Sequence, residues 1–210
     1  MVLSVEFASN GDLRLHIGGN NRHSPSFPPF DAIVCSRTLS RISAVFEAML
    51  RSEYQMSRDV SKAKKQKNCE CGLRDWCVKL EDGSVLSVWI LLAITHSQFM
   101  AVPDRLPLAE LYELLILCDK YLVDLQIIRP WAGTWFQQHA SLAGSPGNEI
   151  LLFVSRELGS MSTFETVVHR IFNDSEVNAT GQFVDSSGRP LEDYISFGLD
   201  ESLGEHNTSF

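Results

Sequence analysis

Residues 106–136 read LPLAELYELLILCDKYLVDLQIIRPWAGTWF, and the reading of that stretch decides the fold. A helix with one wet face needs apolar residues only at about i, i+3, i+4 and i+7. Leu108, Leu111, Tyr112, Leu115, Cys118 and Leu122 fill such a stripe, and Leu114, Ile116 and Leu117 cover much of the opposite side. This spacing describes a core helix of a domain or half of an interface. No reacting group stands out on it, so the chain reads as one that holds other proteins. Downstream, Asp124 to His139 reads as another helix or a pair of turns. There Ile127, Trp131 and Trp135 fall four apart, and Pro130 must start or kink the helix. Upstream, Val85 to His96 reads as a short, strongly apolar helix, and Pro103 and Pro107 bracket the loop between the two.

The segments before Val85 alternate instead. Leu13, Leu15 and Ile17, with Arg14 and His16 between, give a half-buried strand. Gly18-Gly19 and SPSFPP break the chain before Phe30, Ala32 and Val34 form a second strand of a long-looped hairpin. Ser36 to Met49 switches to helical spacing, with Ser36 and Ser43 as N-caps of two short helices. Trp76, Val78 and Leu80 make a third strand, ended by Glu81-Asp82-Gly83. Toward the C-terminus SLAGSPG reads as a linker. Asn148–Leu158 and Ser162–Phe172 read as a helix pair, the second opened by a capping box, Ser162-x-x-Glu165.

Composition narrows the function classes. Hydrophobic residues make up 44% of the 210, enough for a core, and the formal charge is −8. A nucleic-acid binder usually carries a basic face, so direct nucleic-acid binding is not expected. The charge is uneven, however. Arg51 to Arg74 holds seven basic residues against three acids, and Asp174 to Phe210 holds eight acids against Arg189 alone. The start, MVLSVEFASNGDL, lacks the pattern of a secretory leader. The longest apolar run, Val85 to Ile94, is about half of what a membrane span needs. With five cysteines, an odd number, the thiols read as reduced and the location as intracellular, cytoplasmic or nuclear or both.

Strand, strand, two short helices, strand, apolar helix, long apolar helix, Trp-bearing helix: this order resembles the BTB/POZ domain, and particularly the short fungal BTB proteins. Three strings carry the likeness. VCSRTLSRISAVFEAML supplies Ser36, Arg37, Leu39, Ser43, Phe46 and Met49. VKLEDGSVLSVWILLAITH ends in His96. LAELYELLILCDKYLV is followed by RPWAGTWF. The likeness covers roughly 11–138. It implies an α+β fold with a three-stranded or slightly larger sheet, capped by a cluster of about five helices, plus a C-terminal helical extension. The expected layout is a BTB-like domain over 1–140 with its core at 11–138 and a lysine-rich insertion at 57–72. A linker at 141–147, a helical extension at 148–173 and an acidic, disordered tail at 174–210 follow. Some family members pair a strand Asp with a basic residue in a groove. That Asp falls on Asp12, but the basic position falls on Ser36, with Arg37 beside it. The hydrophobic-x-Glu string of cullin-recruiting members aligns with Ser87-Val88-Trp89, which lacks the acid.

The expected function is a non-enzymatic protein–protein interaction module, acting by homodimerisation or partner binding. The resemblance places a homodimer face on the first strand and first helices, and so on Leu13, Leu15, Leu39, Ile42 and Phe46. The alternatives are a substrate adaptor of a cullin-type ubiquitin ligase, for which Asn148–Phe172 stands where cullin-binding members add helices, and a nuclear transcription-associated factor. Lys62, Lys64, Lys65 and Lys67 form a candidate import signal set against an ordinary solvated loop. No catalytic residue, cofactor or metal is expected. Cys69-x-Cys71 and Cys77 lack a fourth zinc ligand, and no histidine pair has metal spacing. His96 reads as a cap or packing group at a helix end.

Overall fold

Alternating side chains build the sheet. The computed structural model describes residues 3–18, 28–51, 76–80, 83–184, 188 and 190. Strand β1 is Leu3–Glu6, β2 Leu13–Ile17, β3 Phe30–Val34 and β4 Cys77–Leu80, ordered β1-β3-β2-β4. β2 and β3 run antiparallel with Leu13 opposite Val34, Leu15 opposite Ala32 and Ile17 opposite Phe30. β4 lies parallel to β2 with Val78 beside Leu15 and Leu80 beside Ile17. All eight of these side chains are buried, so register puts one apolar face on the sheet. β1 is an edge strand that the sequence reading did not contain. Its residues are mostly exposed, and parallel pairing with β3 holds it in place. Gly11 permits the turn into β2: a Cβ there would stand 2.6 Å from Ile33 Cγ2 and 2.8 Å from the Val34 carbonyl.

Seven α-helices complete a mixed α+β fold among the described residues. α1 is Ser36–Ile42 and α2 covers 44–51, with the break at Ser43 where the sequence placed it. The Ser43 hydroxyl accepts from the Phe46 amide at 2.9 Å, the N-cap geometry that starts α2, and donates to the Tyr121 carbonyl. α3, Val85–Thr95, is buried nearly all round, as a helix apolar on every face must be. Its Trp89 meets Phe7 and Phe30 edge-on, at centroid distances of 5.2 and 5.4 Å.

The stretch 106–136 resolves into α4, Leu108–Lys120, a 3-10 turn, Leu125–Ile127, and α5, Arg129–Gln137. Leu111, Leu114, Leu115, Leu117 and Cys118 are buried, so α4 is a core helix. Leu122 leaves the stripe assigned to it. The helix has ended, Val123 N–H reaches back to the Cys118 carbonyl, and Leu122 sits at φ 47° and is 65% exposed. This is the left-handed helix stop usually given to glycine.

The chain divides into two compact units, Met1–Leu106 with Glu113–Trp131, and Pro107–Tyr112 with Ala132–Phe210. The boundary thus falls inside α4 and α5. The stretch read as a linker begins in a 3-10 helix, Ala140–Gly144. The second unit pairs α6, Leu151–Glu157, with α7, Met161–Asp174. Tyr112 meets Phe153 edge-on, and Arg170 pairs with Glu149 at 2.8 Å. α7 begins one residue before Ser162, so the expected capping box does not form. Ser160 is the N-cap residue, and its hydroxyl bonds that of Thr163. A short hairpin, β5 Glu176–Val177 with β6 Phe183–Val184, stands in the segment expected to be disordered. No helix among the described residues is long and apolar enough to cross a membrane.

Candidate interaction groove

The site begins at a helix end without a local cap. Cys35 is the N-cap residue of α1 and makes no side-chain capping bond. Ser36, expected to cap, is the first helical residue. Asp12, at the mouth of β2, supplies the missing acceptor. Ser36 donates its amide to Asp12 Oδ1 at 2.8 Å and its hydroxyl to Oδ2 at 2.7 Å. A carboxylate at the first turn also suits the partial positive charge of the helix start. Burial alone would raise the Asp12 carboxyl. The Ser36 hydroxyl and amide, its own amide and the nearby charge of Arg37 outweigh that and hold it below the ordinary carboxylate range.

Around this anchor an open groove of about 730 Å3 is lined by Asp12, Ser36, Arg37, Ser40, Arg41, Glu47, Leu50, Arg51 and Trp76. α1 contributes Arg37 and Arg41 one turn apart, both exposed, and α2 contributes Glu47, Leu50 and Arg51. Arg51 pairs with Glu47 at 2.5 Å on the surface. Such exposed i, i+4 pairs are worth about 0.3–0.5 kcal/mol and are readily exchanged for another partner. The two lining carboxylates are therefore engaged, one by Ser36 and one by Arg51. Arg37 and Arg41 make no ion pair among the described residues. The half-buried Trp76 gives the groove an apolar surface, whereas Leu50, 2% exposed, belongs to the core.

A second feature ties α1 to α3. The Cys35 amide donates to His96 Nε2 at 3.1 Å, and His96 Nδ1 lies 3.0 Å from the Leu92 carbonyl. These partners fit the neutral tautomer with its proton on Nδ1. His96 thus caps α3 as expected, and burial, against the opposing pull of the Leu92 carbonyl, lowers its pKa. On the outer face of the sheet Asp31 receives His16 Nδ1 at 2.6 Å and Arg14 at 3.7 Å.

The structure places four of the five homodimer candidates in the core. Leu13, Leu15, Leu39 and Phe46 are buried inside the single chain, at 0 to 3% exposure, and offer no surface to a partner. Ile42 alone of the five is partly exposed. The periodicity that singled them out marks apolar residues, and in this chain that periodicity served the core. Asp12, Ser36 and Arg37 do meet, though Asp12 bonds serine where the family pattern has a cation. Arg41, Glu47, Leu50, Arg51 and Trp76 were not foreseen. Lys62, Lys64, Lys65, Lys67, Cys69 and Cys71 lie outside the described residues. No group of three metal-ligating side chains occurs among the described residues. No protein-family model matches the sequence, and comparison with curated proteins finds no match.

Proposed function

We propose that this chain is a protein–protein interaction module of BTB-like build, acting through the groove between α1, α2 and Trp76. The observation that carries the reading is the pairing of that groove's contents. Its carboxylates are already bonded, while two exposed arginines and the half-buried Trp76 line the opening. Arginine and tryptophan are the side chains most enriched where binding energy concentrates. Partner binding through the groove is favoured over homodimerisation through Leu13, Leu15, Leu39 and Phe46, because exposing those residues would unfold the core.

The test is affinity capture from cross-linked cells with the full chain and with an Arg37→Glu/Arg41→Glu variant that keeps its melting temperature. Partners retained by the parent and lost by the variant support the reading. Identical partner sets would count against it. The α6–α7 pair stands where the resemblance puts cullin-binding helices, which favours the adaptor as a second reading. Direct binding of a purified cullin N-terminal domain tests it, and no binding at micromolar concentration would remove it.

A further inference from the structure

We infer that the occupant of the groove is an extended, Asp/Glu-rich segment of another protein carrying an apolar side chain between its acids. The inference rests on the interaction-module reading and adds the chemistry of the partner. Its first support is the arrangement of α1. Arg37 and Arg41 stand at i and i+4 on a helix of seven residues, with no acid on that helix to offset them. Like charges at this spacing destabilise a helix. Neither arginine makes a close ion pair among the described residues, and the Asp12 carboxylate offsets only Arg37, so an incoming anion adds bonds to both.

The spacing matches as well as the sign. Side chains at i and i+4 on a helix lie about 5–6 Å apart. Carboxylates two residues apart on an extended chain share one face and lie roughly 6.6 Å apart. An acid-x-acid segment can therefore meet both guanidinium forks, each of which matches a carboxylate in bidentate fashion. A third acid can take Arg51 from its exposed pair with Glu47. Successive side chains of an extended segment point to opposite faces, so the intervening residue points away from the arginines, and an apolar one there can reach the half-buried Trp76.

Competing anions fit less well. A nucleic-acid backbone or an anionic membrane calls for a broad basic surface, whereas this groove sets three arginines beside two carboxylates. Recognition must come from contact with these few side chains.

The test uses the full chain and a fluorescein-labelled peptide in which Glu and Asp alternate with Leu and Phe, read by anisotropy. The comparison peptide replaces every acid by its amide. The acidic peptide should bind, and the amide peptide should bind at least tenfold more weakly. Arg37→Ala/Arg41→Ala should weaken the acidic peptide roughly tenfold, since a factor of ten is about 1.4 kcal/mol shared by two exposed charge pairs. Arg37→Lys/Arg41→Lys should recover part of it, and Arg129→Ala, on α5, should change nothing. Equal binding of the two peptides would overturn the inference. So would an acidic peptide indifferent to Arg37 and Arg41, or preference for a phosphoserine peptide, an RNA oligomer or anionic vesicles over the acidic peptide. If the acidic peptide fails while groove variants still lose cellular partners, the chemistry falls and the module reading stands. If cellular partners ignore the groove, the module reading itself falls.

Discussion

Phe46 decides between two roles that the sequence leaves open, and its replacement separates them. The ring is 3% exposed and lies stacked on Tyr121, with centroids 4.5 Å apart and planes 8° from parallel. α2 therefore holds the end of α4 through an aromatic contact beside the Ser43 bond. Phe46→Ala removes the transfer free energy of the ring and leaves a cavity, a loss of about 3–5 kcal/mol. The stacked pair contributes about 0.5–1.5 kcal/mol of this beyond its area. Domain stabilities run about 5–15 kcal/mol, so the variant should keep only a fraction of the parent's margin. With a urea slope near 2 kcal/mol/M, the midpoint should fall by roughly 2 M.

The assay is urea unfolding followed by tryptophan fluorescence and circular dichroism, at two protein concentrations a hundredfold apart. A core role predicts the same loss at both. An interface role makes stability depend on concentration, by about 2.7 kcal/mol for that hundredfold range. Leu15→Ala, at a fully buried position of β2, should behave likewise with a loss of about 2–5 kcal/mol. The core assignment fails if Phe46→Ala stays within about 1 kcal/mol of the parent while its sedimentation coefficient drops from dimer to monomer.

Four further outcomes follow from local geometry. Ser43→Ala loses the cap of α2 and the donor to the Tyr121 carbonyl, and should cost about 2 kcal/mol with faster hydrogen exchange at the Phe46 amide; unchanged exchange there would remove the capping role. Leu122→Gly places glycine at a φ of 47° and removes an exposed leucine. It should stabilise by about 0.5–1 kcal/mol, and a lowered thermal midpoint would contradict the strain. His96 has a folded pKa below its unfolded one, so its contribution is full above the unfolded value, near 6.5, and is lost as pH falls through the folded value. Protonated Nε2 would then point a hydrogen at the Cys35 amide. The parent should lose stability more steeply than His96→Gln between about pH 7 and 5, and parallel curves would refute this. Alkylation at pH 8, located by peptide mass spectrometry, should reach Cys35 before Cys118. The nearby Thr38 hydroxyl and amide hold the Cys35 thiol below its ordinary value, and burial pushes that of Cys118 up to about 12. Early labelling of Cys118 would show that α4 opens.

What was legible in the sequence follows from how strongly burial writes itself into period. β2, β3 and β4 each bury every second side chain against the same core, so alternation gives both the strands and their inward faces. α3 is apolar throughout because it is enclosed throughout. β1 buries almost nothing, so backbone pairing and the Gln98 bond to the Glu6 carbonyl hold it, and no side-chain pattern records it. Helix ends were less legible than helices, because an end is decided by whichever group satisfies the free amides and carbonyls. Ser36 had the right chemistry to cap α1, yet Asp12, twenty-four residues earlier, took the amide and the hydroxyl with it. Leu122 had the right spacing for the stripe of α4, yet the 6→1 bond to Cys118 turned the chain first.

The groove was hidden for a different reason. It gathers residues from Asp12 to Trp76 across two helices and two strand mouths, and exposed arginines carry no periodicity. One local signal was present. Arg37 and Arg41 stand a turn apart in SRTLSRI, where a helix selected for stability alone would place an acid opposite a base. The four buried candidates for a homodimer face carried the opposite signal, since apolar residues at strand and helix period mark a core unless surface remains outside it. A binding face on a small α+β domain is therefore better sought where the pattern makes the isolated chain less stable than where it makes the core. In this chain the paired arginines of α1 break that pattern, and the proposed groove is built on them.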